Sequence, residues 1–258
     1  MRRPYGRSAG YYDAIYSERV DYDGDVEYLA KVFKTYAMGK PKRILDLGAG
    51  TCTHAVLLAK SGMQVDAVDV SEALLDVAEA KVKGEGVAKK VHLHRMDMTK
   101  KLPEGEFDAA ISMFGAWCYL RTDEEASRML SMLSRRLPIG GLFVFEFWSP
   151  LGWNPQNRWD EADLSDGSRV LRLTRPNLEL KDDVYEFEME HVVVKDGQLL
   201  ADFSEVHGLR LRTPFQTRAL LQRNGFEVVA MTKGAREGKS FEPPGPNEFR
   251  VMAIAKRA

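Results

Sequence analysis

The chain has 258 residues, 44% hydrophobic, 29% charged and 10% aromatic, the proportions of a folded globular protein rather than a disordered, fibrous or disulfide-scaffold chain. Lys and Arg number 37 against 38 Asp and Glu, a net charge of −1 that speaks against a broadly basic nucleic-acid surface or a polybasic membrane anchor. The two cysteines, Cys52 and Cys118, sit in no Cys-x-x-Cys or Cys/His spacing, so no zinc site and no disulfide framework is expected. No apolar run approaches the ~18 residues of a membrane span, and Met1-Arg2-Arg3-Pro4-Tyr5 leads into polar residues and tyrosines instead of a signal-peptide core. A cytoplasmic protein is expected.

In chain order, residues 1–40 read as an N-terminal helical cap, and residues 41–150 as an α/β core, doubly wound, in which strand-length apolar runs alternate with amphipathic stretches of helical period. The expected strands are Arg43 to Leu47, Gln64 to Val70, Val91 to Arg95, Phe107 to Met113 and Gly141 to Trp148. The helices between them run from Thr53 to Lys60, Glu72 to Lys83 and Asp123 to Arg136. Thr122 with Glu125 predicts a capping box, and Thr213-Pro214-Phe215-Gln216 a second one with proline at the first helical position, so a helix spans 214–224. After Pro150 the period changes to two: Tyr185, Phe187, Met189, His191 and Val193 share one face, Glu186, Glu188 and Glu190 the other. Lys195-Asp196-Gly197 supplies a turn and Leu199 to Arg212 the returning strand, so residues 151–212 form a small antiparallel insertion expected to act as a lid. Residues 213–258 return to the core, with strands at Phe226 to Thr232 and Glu248 to Lys256 around the Gly- and Pro-rich segment Gly234 to Pro246.

The most informative segment is Arg43-Ile44-Leu45-Asp46-Leu47-Gly48-Ala49-Gly50-Thr51-Cys52-Thr53-His54, a buried strand, a glycine turn and a helix start. Glycines there let the backbone approach a ligand where a Cβ would intrude. Asp69 ends the next strand, in Val65-Asp66-Ala67-Val68-Asp69-Val70-Ser71, where a carboxylate can accept both hydroxyls of an unphosphorylated ribose. The bland alternative is a tight strand-to-helix connection. The third glycine of the dinucleotide fingerprint would fall at Thr53 and is absent, which disfavours NAD. Asp46 would repel a pyrophosphate but can receive the ammonium of an amino acid attached to the nucleoside, as in S-adenosylmethionine.

At these residues the chain resembles the class I S-adenosylmethionine-dependent methyltransferases, whose first motif reads Asp/Glu-x-Gly-x-Gly-x-Gly and whose second ends with an acid on the ribose. Asp46, Gly48, Gly50 and Asp69 match; Cys52 stands where the motif has its last glycine. The resemblance implies a Rossmann-like seven-stranded sheet and S-adenosyl-L-methionine as cofactor, with S-adenosyl-L-homocysteine as product. It places Ala49, Thr51, His54, Val70 and Met113 around that ligand, Asp97 on the adenine amine, and Met96 and Met98 flanking the ring. The tyrosine-rich entry Tyr11-Tyr12-Asp13-Ala14-Ile15-Tyr16 with Asp21-Tyr22, the Met113-Phe114 strand end and the insertion are similar to small-molecule N-methyltransferases acting on deoxysugar amines and on glycine.

A methyl acceptor that is an amine must lose a proton before it attacks. Tyr119, in the loop after the fourth strand, is the first candidate for that task; packing its ring under the lid is the alternative. His191 and His207 on the insertion are further catalytic candidates, with a structural role weighing more for each. Tyr12, Tyr16 and Tyr22 are expected either to close over the cofactor and acceptor or to pack as an amphipathic helix face. Phe114, Trp117, Glu146 and Trp148 are candidate acceptor contacts. The Glu186, Glu188, Glu190 row reads as a solvated face or as a lure for a cationic acceptor, and Arg210 and Arg212 as its cross-strand partners or as contacts to an anionic acceptor.

No metal-site cluster stands beside the fourth strand, which favours an N-acceptor over an O-acceptor. Ser112-Met113-Phe114-Gly115 replaces the Asn/Asp-Pro-Pro-aromatic motif of DNA amino-methylating enzymes, so a nucleic-acid substrate is disfavoured, and the paired-glutamate loop of protein-arginine methyltransferases is missing. The alternatives kept are an O- or RNA methyltransferase, a non-catalytic S-adenosylmethionine-binding protein and an NAD-dependent oxidoreductase. The expected partner is a small-molecule methyl acceptor, with no membrane; the sequence leaves the oligomeric state open.

Overall fold

A computed structural model describes residues 4–181, 184–233 and 241–258, with the backbone alone over 178–181. The chain begins with α1 (Ala9–Ser17) and α2 (Tyr22–Tyr36), the latter capped by Asp21, whose Oδ1 accepts from the Gly24 N–H at 2.9 Å. The core follows as β1 (Arg43–Leu47), α3 (Thr53–Lys60), β2 (Gln64–Asp69), α4 (Glu72–Gly84), β3 (Val91–Arg95), β4 (Ala109–Ser112), α5 (Asp123–Ser134) and β5 (Leu142–Trp148). Next come β6 (Arg158–Asp163), β7 (Arg169–Lys181), β8 (Val184–Lys195) and β9 (Gln198–Arg210), then α6 (Pro214–Arg223), β10 (Phe226–Lys233) and β11 (Arg250–Arg257). Both expected capping boxes form, at Thr122/Glu125 and Thr213/Gln216. Of the Gly- and Pro-rich segment Gly234 to Pro246, residues 234–240 lie outside the described residues.

The described residues form two sheets. The first has seven strands in the order β10-β11-β5-β4-β1-β2-β3, parallel except for β11, which runs antiparallel to both β5 and β10. Its strands are apolar on both faces because helices cover both: Trp117, Phe143, Phe145 and Phe147 pack with α5 on one side, and Tyr28, Leu29, Val32 and Phe33 of α2 join α3 on the other. The second sheet is the antiparallel run β6-β7-β8-β9. Its last hairpin closes through Asp196 and Gly197, both at positive φ, with Lys195 opposite Gln198.

The sequence predicts two strands in this insertion, and the structure has four. In β6 the apolar alternation is inverted: Trp159 is 67% exposed while Asp160 is 2% exposed, because Asp160 pairs across the strand with buried Arg172 of β7. Arg172 lies opposite His191, and His191 opposite Phe203, so one row of this face carries an ion pair and a histidine beneath α1. Around it Val170 and Val193 pack against Ile15, Tyr16 and Val20. No helix among the described residues is long and apolar enough to cross a membrane.

Candidate active site

A cleft of about 850 Å³ opens beyond the carboxyl ends of β1, β2 and β4, roofed by the N-terminal segment and by β8 and β9 of the second sheet. Its floor is the turn from β1 into α3. Gly48, Gly50 and Cys52 all adopt positive φ, and a Cβ added at Gly48 would stand 2.5 Å from that of Ala116. Cys52 takes the left-handed conformation although it is not glycine, and is fully buried. The turn's N–H groups are used within the protein: Gly48 and Ala49 donate to the Val68 carbonyl, Cys52 to that of Ala49, and Gly50 to Asp69 Oδ2 at 2.8 Å. The glycines therefore provide close approach, and the donors at those positions are already engaged.

Three carboxylates face the cleft in different states. Asp69 takes one backbone N–H on each oxygen, from Gly50 and from Ser71, and keeps lone pairs on both; burial raises its pKa despite these bonds. Asp46 is 2% exposed. Burial lifts it to about 7, with the nearby His54 pulling down and Asp69 pushing up. His54 is held by Asp25 of α2, 2.9 Å from Nε2, with the Tyr22 ring edge-on to it. Asp97 accepts from the backbone and hydroxyl of Thr99 and pairs with Lys100; these outweigh its partial burial and lower its pKa. Ala49, Thr51, Val70, Met96, Met98, Met113 and Tyr12 also line the cleft.

This donor set fits S-adenosylmethionine. A buried carboxylate at the glycine turn matches an ammonium, a carboxylate with a free lone pair on each oxygen matches a diol, and the methionines beside Asp97 match the faces and amine of an adenine.

The cleft is also lined by Phe114, Ala116, Tyr119, Leu120, Tyr5 and, from β9, Ser204, Val206 and Gly208. Phe114 has φ +55, and it turns the chain off β4 so that Tyr119 reaches β9. The Tyr119 hydroxyl is 2.7 Å from His207 Nδ1 and 2.9 Å from the Tyr5 hydroxyl. Burial raises the pKa of Tyr119 well above that of a free phenol. The sequence singled out both Tyr119 and His207; it placed Tyr5 in the N-terminal cap and gave it no role.

Five candidates sit elsewhere. His191 is 1% exposed inside the second sheet, stacked 4.8 Å from Phe203, and burial followed by the Arg172 charge lowers it to about 4. Tyr16 turns away from the cleft and accepts from Arg172 Nη1 at 2.7 Å, although its ring touches Phe114 edge-on. Trp117 is a core side chain 4.4 Å from Phe145. Glu146 is buried and accepts from Trp148 Nε1 at 2.9 Å and from Arg250 at 3.3 Å, so neither Glu146 nor Trp148 faces an acceptor. In the acidic row, Glu186 reaches the cleft mouth while Glu190 pairs with Arg175; Arg212 is held by Asp123 and the Thr122 carbonyl.

Residues 44–141 match a family model described as a methyltransferase domain. A Geobacillus sp. (strain WCH70) protein named as a methyltransferase is 32% identical over 255 residues, covering 98% of this chain and 99% of its own. The dTDP-3-amino-3,4,6-trideoxy-alpha-D-glucopyranose N,N-dimethyltransferase of Streptomyces venezuelae is 26% identical, with 88% and 92% covered. Among solved structures, an S-adenosylmethionine-dependent methyltransferase from Clostridium acetobutylicum ATCC 824 superposes with a TM-score of 0.80 over 98% of this chain and 99% of that one, at 20% identity, a likeness of fold.

Proposed function

The chain belongs to the class I S-adenosylmethionine-dependent methyltransferases, and from that premise we propose that it methylates an amino group on a small, sugar-like acceptor bound under the second sheet. The observation that carries this is the presence in one cleft of carboxylates Asp46 and Asp69 beside the glycine turn and of the Tyr119 hydroxyl, which is backed by the buried imidazole of His207. The sugar class is supported by the aminosugar dimethyltransferase among the relatives. Residues 151–212 are read as the acceptor lid, 1–40 as the helical cap, and 41–150 with 213–258 as the cofactor-binding core.

S-adenosylmethionine, when bound, supplies a methyl group on a positively charged sulfur. Asp46 and Asp69 orient it, and Asp97 with Met96 and Met98 holds its base. Met113, Phe114, Leu120 and Tyr12 exclude water from the space between cofactor and acceptor. The phenol of Tyr119 is neutral near pH 7, so it works as a relay: Oη accepts a proton from the acceptor ammonium as its own proton passes to His207 Nδ1, leaving a neutral amine.

A thermal-shift comparison of S-adenosylmethionine, S-adenosylhomocysteine, NAD(H) and NADP(H), followed by methyl transfer to an aminosugar panel and its hydroxyl analogues, tests the proposal. Stabilisation by the two sulfur nucleosides and product from amines alone is expected; a ligand at 100 times its Kd adds about 2.7 kcal/mol. Product from the hydroxyl analogues alone overturns the amine assignment.

A further inference from the structure

Glu205, on the inward face of β9, is 4% exposed and gathers donors from a single stretch of chain. The N–H groups of Tyr5, Arg7 and Ser8 lie 3.1, 3.0 and 3.3 Å from its oxygens, and the Ser8 hydroxyl 2.6 Å. Wrapped around this carboxylate, the segment drops across the cleft mouth: Pro4 and Tyr5 line it, the Tyr5 ring meets the His207 ring edge-on at 4.7 Å, and its hydroxyl reaches Tyr119. On its other side, Glu205 Oε2 is 3.7 Å from His207 Nε2, ion-pair range, and that nitrogen is fully buried with no hydrogen bond.

We propose that Glu205 is a positioning residue with two linked tasks: it seats the N-terminal segment over the cleft, and it holds His207 in the tautomer whose Nδ1 takes the proton of Tyr119. Its place in catalysis rests on the reading of Tyr119 and His207 as a proton relay.

The chemistry follows from the two ring nitrogens. With Nδ1 accepting from Tyr119, the neutral imidazole carries its hydrogen on Nε2, directed at Glu205. Proton transfer to Nδ1 makes an imidazolium. The groups facing that charge are the Tyr5 and Tyr119 hydroxyls, His191 from β8 with Arg172 of β7 behind it, and Glu205; among these only Glu205 is negative. Burial opposes ionisation of Glu205, but the facing imidazole, the Ser8 hydroxyl and the N–H groups of Arg7 and Ser8 outweigh it and keep the carboxyl at about 2. The same donors that seat the segment keep Glu205 charged, so the segment and the relay are completed together.

The test uses the full-length protein with imidazole nitrogens labelled, His207 being assigned by the signal lost in H207N. In the wild type, His207 is expected as the Nε2–H tautomer. In E205Q, where one of the two accepting oxygens becomes an NH2 group, the His207 nitrogen signals should move away from the pattern of the Nε2–H tautomer. Trypsin cleavage after Arg7 should rise in E205Q, which keeps one of the two accepting oxygens, and rise further, about tenfold, in E205A, where the segment loses its acceptor. His207 nitrogen signals in E205Q identical to the wild type overturn the positioning role; unmoved cleavage in a folded E205A overturns the seating role. Should E205A fail to fold, S8A replaces it, removing the 2.6 Å donor while leaving Glu205 charged, and faster cleavage is again expected. Calorimetry with S-adenosylhomocysteine on the same samples keeps the two proposals apart. Loss of that binding in the wild type would end the methyltransferase reading of the cleft and leave the imidazole result standing.

Discussion

Replacing Asp46 by Asn separates what this side chain does for the ligand from what it does to the fold. Burial holds its carboxyl at about 7, against an ordinary value of 3.8. Between these values the folded chain binds more protons than the unfolded one, so stability falls as pH rises through that window and levels off above it. At about 1.4 kcal/mol per pH unit, the raised pKa costs the ligand-free protein about 2 kcal/mol at pH 5, where the folded carboxyl is protonated, and about 4 at pH 8, where it is ionised. Asn resembles the neutral acid in shape and lacks this titration. D46N should therefore be more stable than the wild type, by a margin that widens by about 2–3 kcal/mol from pH 5 to pH 8, several degrees in Tm for a chain of this length. A ligand ammonium beside Asp46 favours the ionised form, so below pH 7 binding must expel the carboxyl proton. Wild-type affinity for S-adenosylhomocysteine should fall toward tenfold per pH unit on going down from 7, with one proton released at pH 6, and D46N should bind weakly at every pH. Thermal unfolding across pH, with calorimetry in two buffers of different protonation enthalpy, measures both. A margin that does not grow with pH, or binding at pH 6 without proton release, would refute the assignment of Asp46 as the buried partner of the ammonium.

Tyr119→Phe removes the hydroxyl that bridges Tyr5 and His207 and should lower kcat by about 10²-fold while leaving calorimetric affinity for S-adenosylhomocysteine unchanged; equal turnover would remove Tyr119 from the proton path. Cys52→Gly relieves a left-handed residue, worth about 1–2 kcal/mol, against the lost burial of a small side chain and the greater freedom of glycine when unfolded, together of similar size. Its Tm should stay within a few degrees of the wild type, and a larger fall would show that the Cys52 side chain has a packing role beyond filling the turn.

The cofactor half of the cleft was legible because its determinants are local. A strand, a glycine turn and an acid at the next strand end occupy one continuous stretch, and Asp46, Gly48, Gly50 and Asp69 meet as their order along the chain dictates. The acceptor half depends on pairings across long separations. Glu146 reads as a charge at a strand end until β11 is laid antiparallel to β5, which brings Arg250 onto it. Trp117 reads as an acceptor contact until the short helical turn after β4 buries it against Phe145. In the insertion, hydrophobic alternation misleads because Asp160, Arg172, His191, Glu205 and His207 all point inward. Each is buried beside other polar groups, so the inward face of β6 and β7 carries charge where a period-two pattern expects an apolar side chain, and both strands pass for loop.

The inward charges also explain how the glycine turn and the second sheet are joined. α1 is tied to the glycine turn by Asp13, which accepts from Thr51 at 2.6 Å and pairs with Lys81, itself hydrogen-bonded to Thr51 and Thr53. The same helix lies against the second sheet, through Tyr16 on Arg172 and through Ile15 among Val170 and Val193. Just before it, Ser8 and Tyr5 are bound to Glu205 and Tyr119. One short stretch, from Tyr5 to Tyr16, thus touches the glycine turn, the second sheet and the Tyr119 hydroxyl. The polar side chains buried between helix and sheet give that contact a defined geometry that apolar packing alone would leave free to slide.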